Sequence, residues 1–505
     1  MMKNTVAKTI NGRFKGYVDD NGVVCFLGIP YAKPAQRWKR PEYPEPCDEL
    51  FDATHYGPAP WQPIYPEEWP ATPPMSEDCL HLNVWTADTE VKKKPVMFWI
   101  YGGSYQTGSN RIEDYDGTYC GDMLVANNPD IVYVNINYRV NIFGCMDLND
   151  FDKTGEYADA CNLATMDQAM ALRWVHENIE AFGGDPDNIT ILGQSAGAYS
   201  VATQLLLPET NKYIKNAICE SSCYEKHMKT VEETREMGRE FARLAGATCL
   251  DDLLALSPED VQKYAMDIFL DARWKRAFSG VRDGKYLPLD PYKALRDGVA
   301  KHITLMSGST SGEYDTSTYT CTAEETKERL MAAFPSEITE EIIQGYLNNY
   351  PDERTEKEAY MDCRNDMQIR IPVINVLEEH IRGGGKGYLY YINAQEKDAT
   401  VRAQHVFEIP YFINKMDHTI YMDVNCPEPI QGKHPSEELR IKFEGCWTNF
   451  ARYGDPNGSH LESHWPEYSL DKKDTMLMGH DEWHTVSDYH GKDLALTQHL
   501  LDFEE

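Results

Sequence analysis

Residues 189–207 read ITILGQSAGAYSVATQLLL, and this stretch joins a strand pattern to a helix pattern through one short turn. The apolar, β-rich run Ile189–Leu192 predicts a buried strand, and the apolar residues after the turn predict a helix. The turn itself is Gly193-Gln194-Ser195-Ala196-Gly197. A bare G-x-S-x-G occurs by chance in many chains, but between a strand and a helix it exposes the serine hydroxyl at the strand's carboxyl end. Ser195 is therefore the predicted nucleophile.

Similar apolar runs recur along the chain and are separated by stretches of helix length. They are Val96–Tyr101, Ile131–Tyr138, Ala217–Cys219, Ile303–Met306 and Tyr388–Ile392. Residues 166–182 repeat apolar side chains at helical spacing, and the GGDP after them should end this helix. Strands that alternate with helices predict an α/β fold with a largely parallel sheet covered by helices.

Two segments, roughly residues 224–300 and 322–386, differ from the rest of the chain in composition. They are rich in charged residues, and their pattern predicts helices almost throughout. We interpret them as helical cap insertions beside the sheet, within one catalytic domain that spans residues 1–505. The length would also allow several domains, but large α/β enzymes often hold one sheet and its insertions in a single unit.

In open α/β sheets the functional site forms at the carboxyl ends of the strands. The run Gly102-Gly103-Ser104-Tyr105 comes directly after the strand predicted at Val96–Tyr101. It is either an ordinary glycine turn or a source of backbone N–H groups for a developing oxyanion. Because a nucleophile turn lies downstream, we predict that Gly103, Ser104 and Ala196 supply these donors.

Two further polar positions lie after predicted strands. Glu313 closes the small, polar loop after Ile303–Met306, and His405 lies beyond Tyr388–Ile392. The chain order of serine, acid and histidine predicts that His405 acts as general base and that Glu313 orients it. We expect the three side chains to meet within hydrogen-bonding range.

Alternatives to this assignment are open. Asp315 competes with Glu313 as the acid, and any single histidine is more often a core residue than a catalytic one. His405 and Glu408 resemble half of a metal site, but no third or fourth ligand accompanies them. We interpret Glu408 as a supporting or structural residue, and we predict neither a metal nor an organic cofactor.

The composition limits the partners and the compartment. A formal net charge of −32 disfavours nucleic acid and anionic membrane surfaces, and favours the encounter of neutral or cationic substrates. The N-terminal residues lack the apolar run of a secretory signal, and no stretch approaches the ~18 apolar residues of a membrane span. Thirteen cysteines without metal-site spacing are typical of buried free thiols in a reducing cytoplasm. A mature secreted chain would have the same N-terminal pattern.

Longer motifs make the chain similar to a known family. They are Gly28–Ala32, Ser76–Trp85, Asn137–Arg139, Phe143-Gly144, Asp167–Ala198, Asp283-Gly284, Trp447, Phe450 and Trp465-Pro466. In these motifs the chain resembles the type-B carboxylesterase and lipase family, which includes cholinesterases, liver carboxylesterases and bacterial para-nitrobenzyl esterases. The resemblance implies the α/β-hydrolase fold. It also implies a catalytic triad at Ser195, Glu313 and His405, with the oxyanion donors given above.

The chain departs from the family pattern at several positions. Ser104 stands where the family has a third glycine, so a Cβ and a hydroxyl crowd the pocket floor. Cys79 matches a half-cystine of secreted members, but the region of its partner contains no cysteine. Gln194 precedes the nucleophile where cholinesterases have a glutamate. Trp69 lies where cholinesterases have the tryptophan that holds choline, and it forms either a cation site or part of a general aromatic lining. The predicted pocket residues are Trp69, Tyr105 and Gln194.

The sequence therefore predicts a hydrolase of small carboxylic esters that works through an acyl-enzyme. The same mechanism on a specialised ester, a carbamate or an amide is an open alternative. A non-catalytic binding protein is a remote alternative, because all three catalytic positions are intact. Whether the chain is a monomer or a homodimer is left open by the sequence.

Overall fold

The computed structural model describes residues 3–63, 73–111, 119–225, 228–274, 278–313, 321–394, 402–415, 436–501 and 503. In these residues the strands are β1 (Val6–Thr9), β2 (Asn11–Lys15), β3 (Tyr17–Val18), β4 (Val24–Pro30), β5 (Cys47–Asp52), β6 (His81–Thr86), β7 (Lys94–Ile100), β8 (Val132–Ile136), β9 (Gly184–Gln194), β10 (Ile214–Glu220), β11 (Lys229–Thr230), β12 (Val281–Arg282), β13 (Thr304–Thr310), β14 (Lys386–Ile392), β15 (Asp474–Met478) and β16 (Trp483–Ser487).

The α-helices of the same residues are α1 (Asp122–Asn127), α2 (Asn141–Gly144), α3 (Leu163–Asn178), α4 (Ala196–Leu205), α5 (Pro208–Asn211), α6 (Val231–Ala245), α7 (Leu250–Leu254), α8 (Pro258–Leu270), α9 (Pro291–Arg296), α10 (Ala323–Ala333), α11 (Glu340–Asn349), α12 (Glu356–Asn365), α13 (Ile371–Arg382), α14 (Ile409–Ile413), α15 (Glu437–Tyr453) and α16 (Gly491–Thr497). Short 3₁₀ segments occur at Ala160–Asn162, Ile179–Phe182, Ala272–Trp274 and Gln498–Leu501, and a π-helical turn at Asp366–Arg370.

The central sheet has the strand order β16-β15-β14-β13-β10-β9-β7-β8-β6-β4-β3. Neighbouring strands run parallel from β15 through to β8, and antiparallel strands extend the sheet at both edges. The largely parallel sheet predicted from the sequence is confirmed. The parallel strands are almost continuously buried, because helices cover both faces of such a sheet.

Several strands extend beyond their apolar runs. β10 covers Ile214–Glu220, although the apolar run is only Ala217–Cys219, and β9 begins at Gly184 within the GGDP. Both strands are hydrogen-bonded on each side, and this pairing sets their ends. The predicted helix 166–182 is α3 followed by a 3₁₀ turn, and Gly183 with φ 87° ends it.

The two helix-rich segments contain α6–α9 and α10–α13. α13 packs against β13 and β14, so this helix of the second segment covers the sheet directly. The interpretation of the two segments as cap insertions stays a prediction. In the part of the chain that the structure describes, no helix has the length and the apolar character needed to cross a bilayer.

Candidate active site

The loops that leave β7, β9, β13 and β14 carry the predicted site residues. Neighbouring parallel strands end at the same edge of a sheet, so these loops are expected to meet. Main-chain hydrogen bonds hold the turn after β9 to the end of β10, where Ser195 N–H donates to Glu220 O (2.9 Å), and the loop after β13 to the segment after β14, where Gly312 N–H donates to Ala403 O (2.7 Å). Ser195, Glu313 and His405 therefore lie after strands of one sheet, at its carboxyl edge.

Ser195 lies on a strained turn between β9 and α4. Its backbone has φ 58° and ψ −127°, a conformation that costs a non-glycine residue about 1–3 kcal/mol. Tight packing against β7 imposes this turn: a Cβ on Gly197 would lie 2.0 Å from Ile100 O. The serine side chain is partly exposed, whereas its neighbours on both sides are buried. The turn thus exposes the hydroxyl of Ser195 directly before the N-terminus of α4.

Glu313 and His405 are in direct contact. The carboxylate is wholly buried, its Oε1 accepts Thr310 N–H (2.8 Å), and its Oε2 is bonded to His405 Nδ1. The imidazole is 20% exposed. A proton on Nδ1 that is donated to the carboxylate leaves Nε2 as an acceptor, which is the tautomer a general base requires.

The Nε2 of His405 lies 3.1 Å from the amide nitrogen of Gln194, the residue before Ser195. Gln194 is buried, and its side chain contacts the imidazole. No hydrogen-bond partner for Ser195 Oγ is found among the described residues. The structure therefore brings the histidine to the residue next to the serine, while the Gln194 amide occupies the hydrogen-bonding position of Nε2.

The predicted oxyanion donors lie in a compact loop. Gly103 O accepts the N–H groups of Gln106 (2.9 Å) and Thr107 (3.0 Å), and a Cβ on Gly103 would lie 2.4 Å from Thr107 O. Ser104 and Tyr105 both have φ 56°, in the left-handed region that favours glycine. Within the described residues, the N–H groups of Gly103, Ser104 and Ala196 have no acceptor.

A cavity of about 170 Å³ opens beside Ser195. Its lining is Ser104, Tyr105, Ser195, Ala196, Tyr199, Ser222, Phe269 and Ser279. Tyr105 is fixed by a 2.7 Å hydrogen bond between its hydroxyl and Ser200 Oγ. A larger groove of about 540 Å³ elsewhere on the molecule contains none of the predicted site residues in its lining.

Sequence analysis missed part of this lining. Tyr199 lies four residues after Ser195 in α4, so this helical spacing could have predicted that it lines the cavity. Ser222 lies just after β10, and its position at the carboxyl end of a strand was a usable signal too. Phe269 comes from α8 and Ser279 from the same helix-rich segment, and no local pattern indicates that either reaches Ser195. Trp69 and Asp315, which sequence analysis also considered, lie outside the described residues.

Two further carboxyl groups lie near Glu313 and His405. Glu408 is wholly buried, and burial together with the charge of Glu313 raises its pKa to about 7. Glu220 is also wholly buried, and burial and Glu408 raise its pKa well above the ordinary value. Within the described part of the chain, no group of three His, Cys, Asp or Glu residues is arranged to hold a metal ion.

Comparison with known proteins gives a consistent result. The model of the carboxylesterase family matches residues 3–496. The para-nitrobenzyl esterase of Bacillus subtilis is 30% identical over 94% of this chain and 95% of its own. The phenmedipham hydrolase of Pseudarthrobacter oxydans is 27% identical over 99% of both chains. The crystal structure of carboxylesterase EST55 of Geobacillus stearothermophilus is similar with a TM-score of 0.84 and 31% identity, over 98% of this chain and 100% of that one.

The resemblance inferred from the motifs is thus confirmed over nearly the whole length, and so is the fold class. The chain belongs to the carboxylesterase family, has the α/β-hydrolase fold and is a carboxylic ester hydrolase.

Proposed function

We propose that the protein hydrolyses small carboxylic esters through an acyl-enzyme formed on Ser195. One observation carries this proposal: an imidazole oriented by a buried carboxylate turns its Nε2 toward the turn that exposes Ser195. This is the relation of base and nucleophile that acyl transfer requires.

In this mechanism His405 takes the proton of Ser195 as Oγ attacks the ester carbonyl. The N–H groups of Gly103, Ser104 and Ala196 stabilise the oxyanion, and their lack of other acceptors among the described residues supports this role. His405 then donates its proton to the leaving alkoxide, and water releases the acyl group by the same steps. Because catalytic hydrogen bonds tighten in the substrate complex, we expect Ser195 Oγ to replace Gln194 at Nε2.

The cavity supports a preference for small acyl groups. Its volume of about 170 Å³ is below the ~300–1000 Å³ typical of pockets for drug-sized ligands. The rings of Tyr105, Tyr199 and Phe269 supply apolar contact, and Ser104 narrows the floor. A series of para-nitrophenyl esters of increasing acyl length should therefore give the highest kcat/KM for the short chains.

A carbamate or a specialised ester is the second candidate substrate. It is favoured by the similarity to a protein named phenmedipham hydrolase along the full length of both chains. The same triad would serve, since attack on a carbamate carbonyl also passes through a tetrahedral oxyanion. Measured kcat/KM values for matched esters, carbamates and amides decide between the candidates.

We also propose a cytoplasmic location and a single catalytic domain with helical caps. The location is supported by the cysteines of the described residues, which form no disulfide with one another. The interpretation as caps is supported by Phe269 and Ser279, which belong to the first helix-rich segment and line the cavity.

The decisive experiment removes the nucleophile. Ser195→Ala should lower kcat for a para-nitrophenyl acyl ester by roughly 10⁶, as the loss of a nucleophilic serine does elsewhere. Ser459→Ala, at an exposed loop serine, is the matched control and should leave turnover intact. An organophosphate should add once to the wild type and not to Ser195→Ala by mass spectrometry. Full turnover in Ser195→Ala would refute the proposal, and no turnover in the wild type would favour a binding protein.

A further inference from the structure

Two short loops carry the proposed acid and the proposed base, and they run side by side. We call residues 311–313 the acid loop and residues 402–405 the base loop. Gly312 N–H donates to Ala403 O at 2.7 Å, and Gly312 also forms a parallel β-bridge with Gln404. At the end of the two loops Glu313 contacts Nδ1 of His405. The position of the imidazole therefore depends on how the base loop is held against the acid loop.

The side chain of Arg402, at the start of the base loop, contacts both the acid loop and α12. Its Nη1 donates to the carbonyl oxygen of Ser311 at 3.3 Å and to Oδ1 of Asp362 in α12. Asn365, the last residue of α12, donates its Nδ2–H to the same carbonyl oxygen at 2.9 Å. The first carbonyl of the acid loop is therefore held by two donors, and one of these belongs to the base loop.

The guanidinium of Arg402 lies in a row of alternating charges. The Arg402 side chain is 10% exposed and that of Asp362 is 12% exposed, and Glu358 Oε1 lies 3.8 Å from the other terminal nitrogen of Arg402. Asp362 Oδ2 accepts Nη1–H of Arg354 at 2.8 Å, and this nitrogen lies 2.7 Å from Oδ2 of Asp493 in α16. A largely buried ion pair offsets its desolvation only when its geometry is good and other hydrogen bonds complete it. Arg402 is thus held in place, because its carboxylate partner is itself held by a second arginine.

We propose that Arg402 is a positioning residue that keeps His405 against Glu313 by fixing the base loop to Ser311 and to α12. The inference rests on the proposed function, in which His405 is the general base. A guanidinium does not give up its proton in the working pH range, so Arg402 acts through the main chain and not in proton transfer. Catalytic groups must be held within about 0.5 Å of the productive geometry. A loosened base loop should therefore slow turnover although every reacting group is present.

Arg402→Met tests the proposal, because it replaces the guanidinium by an apolar chain end. It should lower kcat for a para-nitrophenyl acyl ester by about 10–100-fold. KM should change by less than about threefold, because His405 serves acylation and deacylation alike and both steps slow together. Arg402 is also not among the residues that line the cavity beside Ser195, so the binding of the acyl group should be preserved.

Arg440→Met is the matched control. Arg440 forms an ion pair with Glu444 in α15, and the two side chains are 13% and 11% exposed, nearly as in the pair of Arg402 and Asp362. Loss of this pair removes the same chemical group at the same depth but outside the two loops. The kcat of folded Arg440→Met should equal that of the wild type, even where its melting temperature falls.

A second variant and a spectroscopic signal separate positioning from stability. Asn365→Leu removes the other donor to Ser311 O, so it should also lower kcat, by about 10-fold, and it tests the same carbonyl if Arg402→Met does not fold. An Nδ1–H proton that a histidine donates to a carboxylate gives a downfield ¹H NMR resonance, which its loss in His405→Gln would assign. This resonance should be unchanged in Arg440→Met and shifted or lost in Arg402→Met and in Asn365→Leu.

A lowered kcat with a retained KM and a disturbed resonance in folded Arg402→Met supports the proposal. A wild-type kcat or an unchanged resonance in that variant overturns it. An equal loss of kcat in Arg440→Met also overturns it, because lost stability would then account for the effect. Ser195→Ala tests the nucleophile separately: if it is inactive while Arg402→Met is fully active, only the positioning role fails, whereas an active Ser195→Ala overturns the proposed function.

Discussion

At the residue scale, the proposed site concentrates backbone conformations that L-amino acids rarely adopt. Ser195, Ser104 and Tyr105 all have φ between 56° and 58°. Such strain persists only where the surrounding structure imposes it, and it is often found at functional sites. All three residues line the same small cavity. This supports placing the nucleophile and the oxyanion donors at these positions.

Glu313→Gln should reduce kcat by about 10²–10⁴ with the fold preserved. The amide that replaces one carboxylate oxygen cannot accept from both Thr310 N–H and His405 Nδ1, so the imidazole loses its productive tautomer. Steady-state kinetics with a para-nitrophenyl ester measures the loss. Asp315→Asn is the control and should reduce kcat only slightly. A larger loss of kcat in Asp315→Asn than in Glu313→Gln would show that Asp315 is the acid.

Ser104→Gly should broaden the acyl preference and leave oxyanion stabilisation in place. The variant removes a side chain from the cavity lining but keeps the backbone N–H, and glycine adopts φ 56° without strain. The ratio of kcat/KM for long and short para-nitrophenyl esters should rise. An unchanged ratio would show that the Ser104 side chain does not limit the acyl group.

At the element scale, the nucleophile turn depends on how closely β9 and α4 approach β7. The apolar faces of all three are buried, and the approach is so close that only glycine fits at the first turn of α4. The turn is therefore a product of packing between elements and not of the local sequence alone.

Gly197→Ala should destabilise the protein by more than ~2 kcal/mol and reduce turnover with it. The added Cβ would lie 2.0 Å from Ile100 O, and a backbone atom cannot move aside as a side chain can. Thermal unfolding and ester turnover measure both effects. Gly345→Ala in α11 is the matched helical control, because its Cβ meets only the end of the Leu496 side chain. Equal melting temperatures for the two variants would contradict this prediction.

At the scale of the whole molecule, the fold buries ionisable carboxyl groups that lie outside the strands, among them Glu408 and Asp366. Between the ordinary pKa of a glutamate, 4.5, and about 7, folded Glu408 binds more protons than unfolded Glu408. Rising pH therefore lowers the free energy of unfolding between these two values, because the unfolded state binds fewer protons there than the folded state. Asp366, whose pKa burial raises from 3.8 to about 6, acts in the same direction.

The melting temperature of the wild type relative to Glu408→Gln should consequently fall as pH rises from 4.5 to about 7 and level off above. Differential scanning calorimetry of the two proteins in parallel buffers measures this difference. A constant difference for Glu408→Gln would mean that Glu408 does not titrate there.

The sequence by itself determined the alternation of strands and helices, the strand–turn–helix context of Ser195 and the chain order of the proposed serine, acid and histidine. These arise from local periodicity and from short motifs, which act over a few residues. It also predicted the α/β-hydrolase fold through motifs that extend along the whole chain. Strand ends such as those of β9 and β10 were not predicted, because pairing with neighbouring strands sets them.

Only the tertiary structure decided which distant side chains meet. Phe269 and Ser279 reach the cavity from a helix-rich segment, and Gln194 rather than Ser195 contacts His405 Nε2. The burial of Glu220 and Glu408 near the proposed triad also depends on how β10, β14 and α15 pack. A local pattern carries information about spacing along the chain, whereas these contacts arise from the folding of remote segments onto one edge of the sheet.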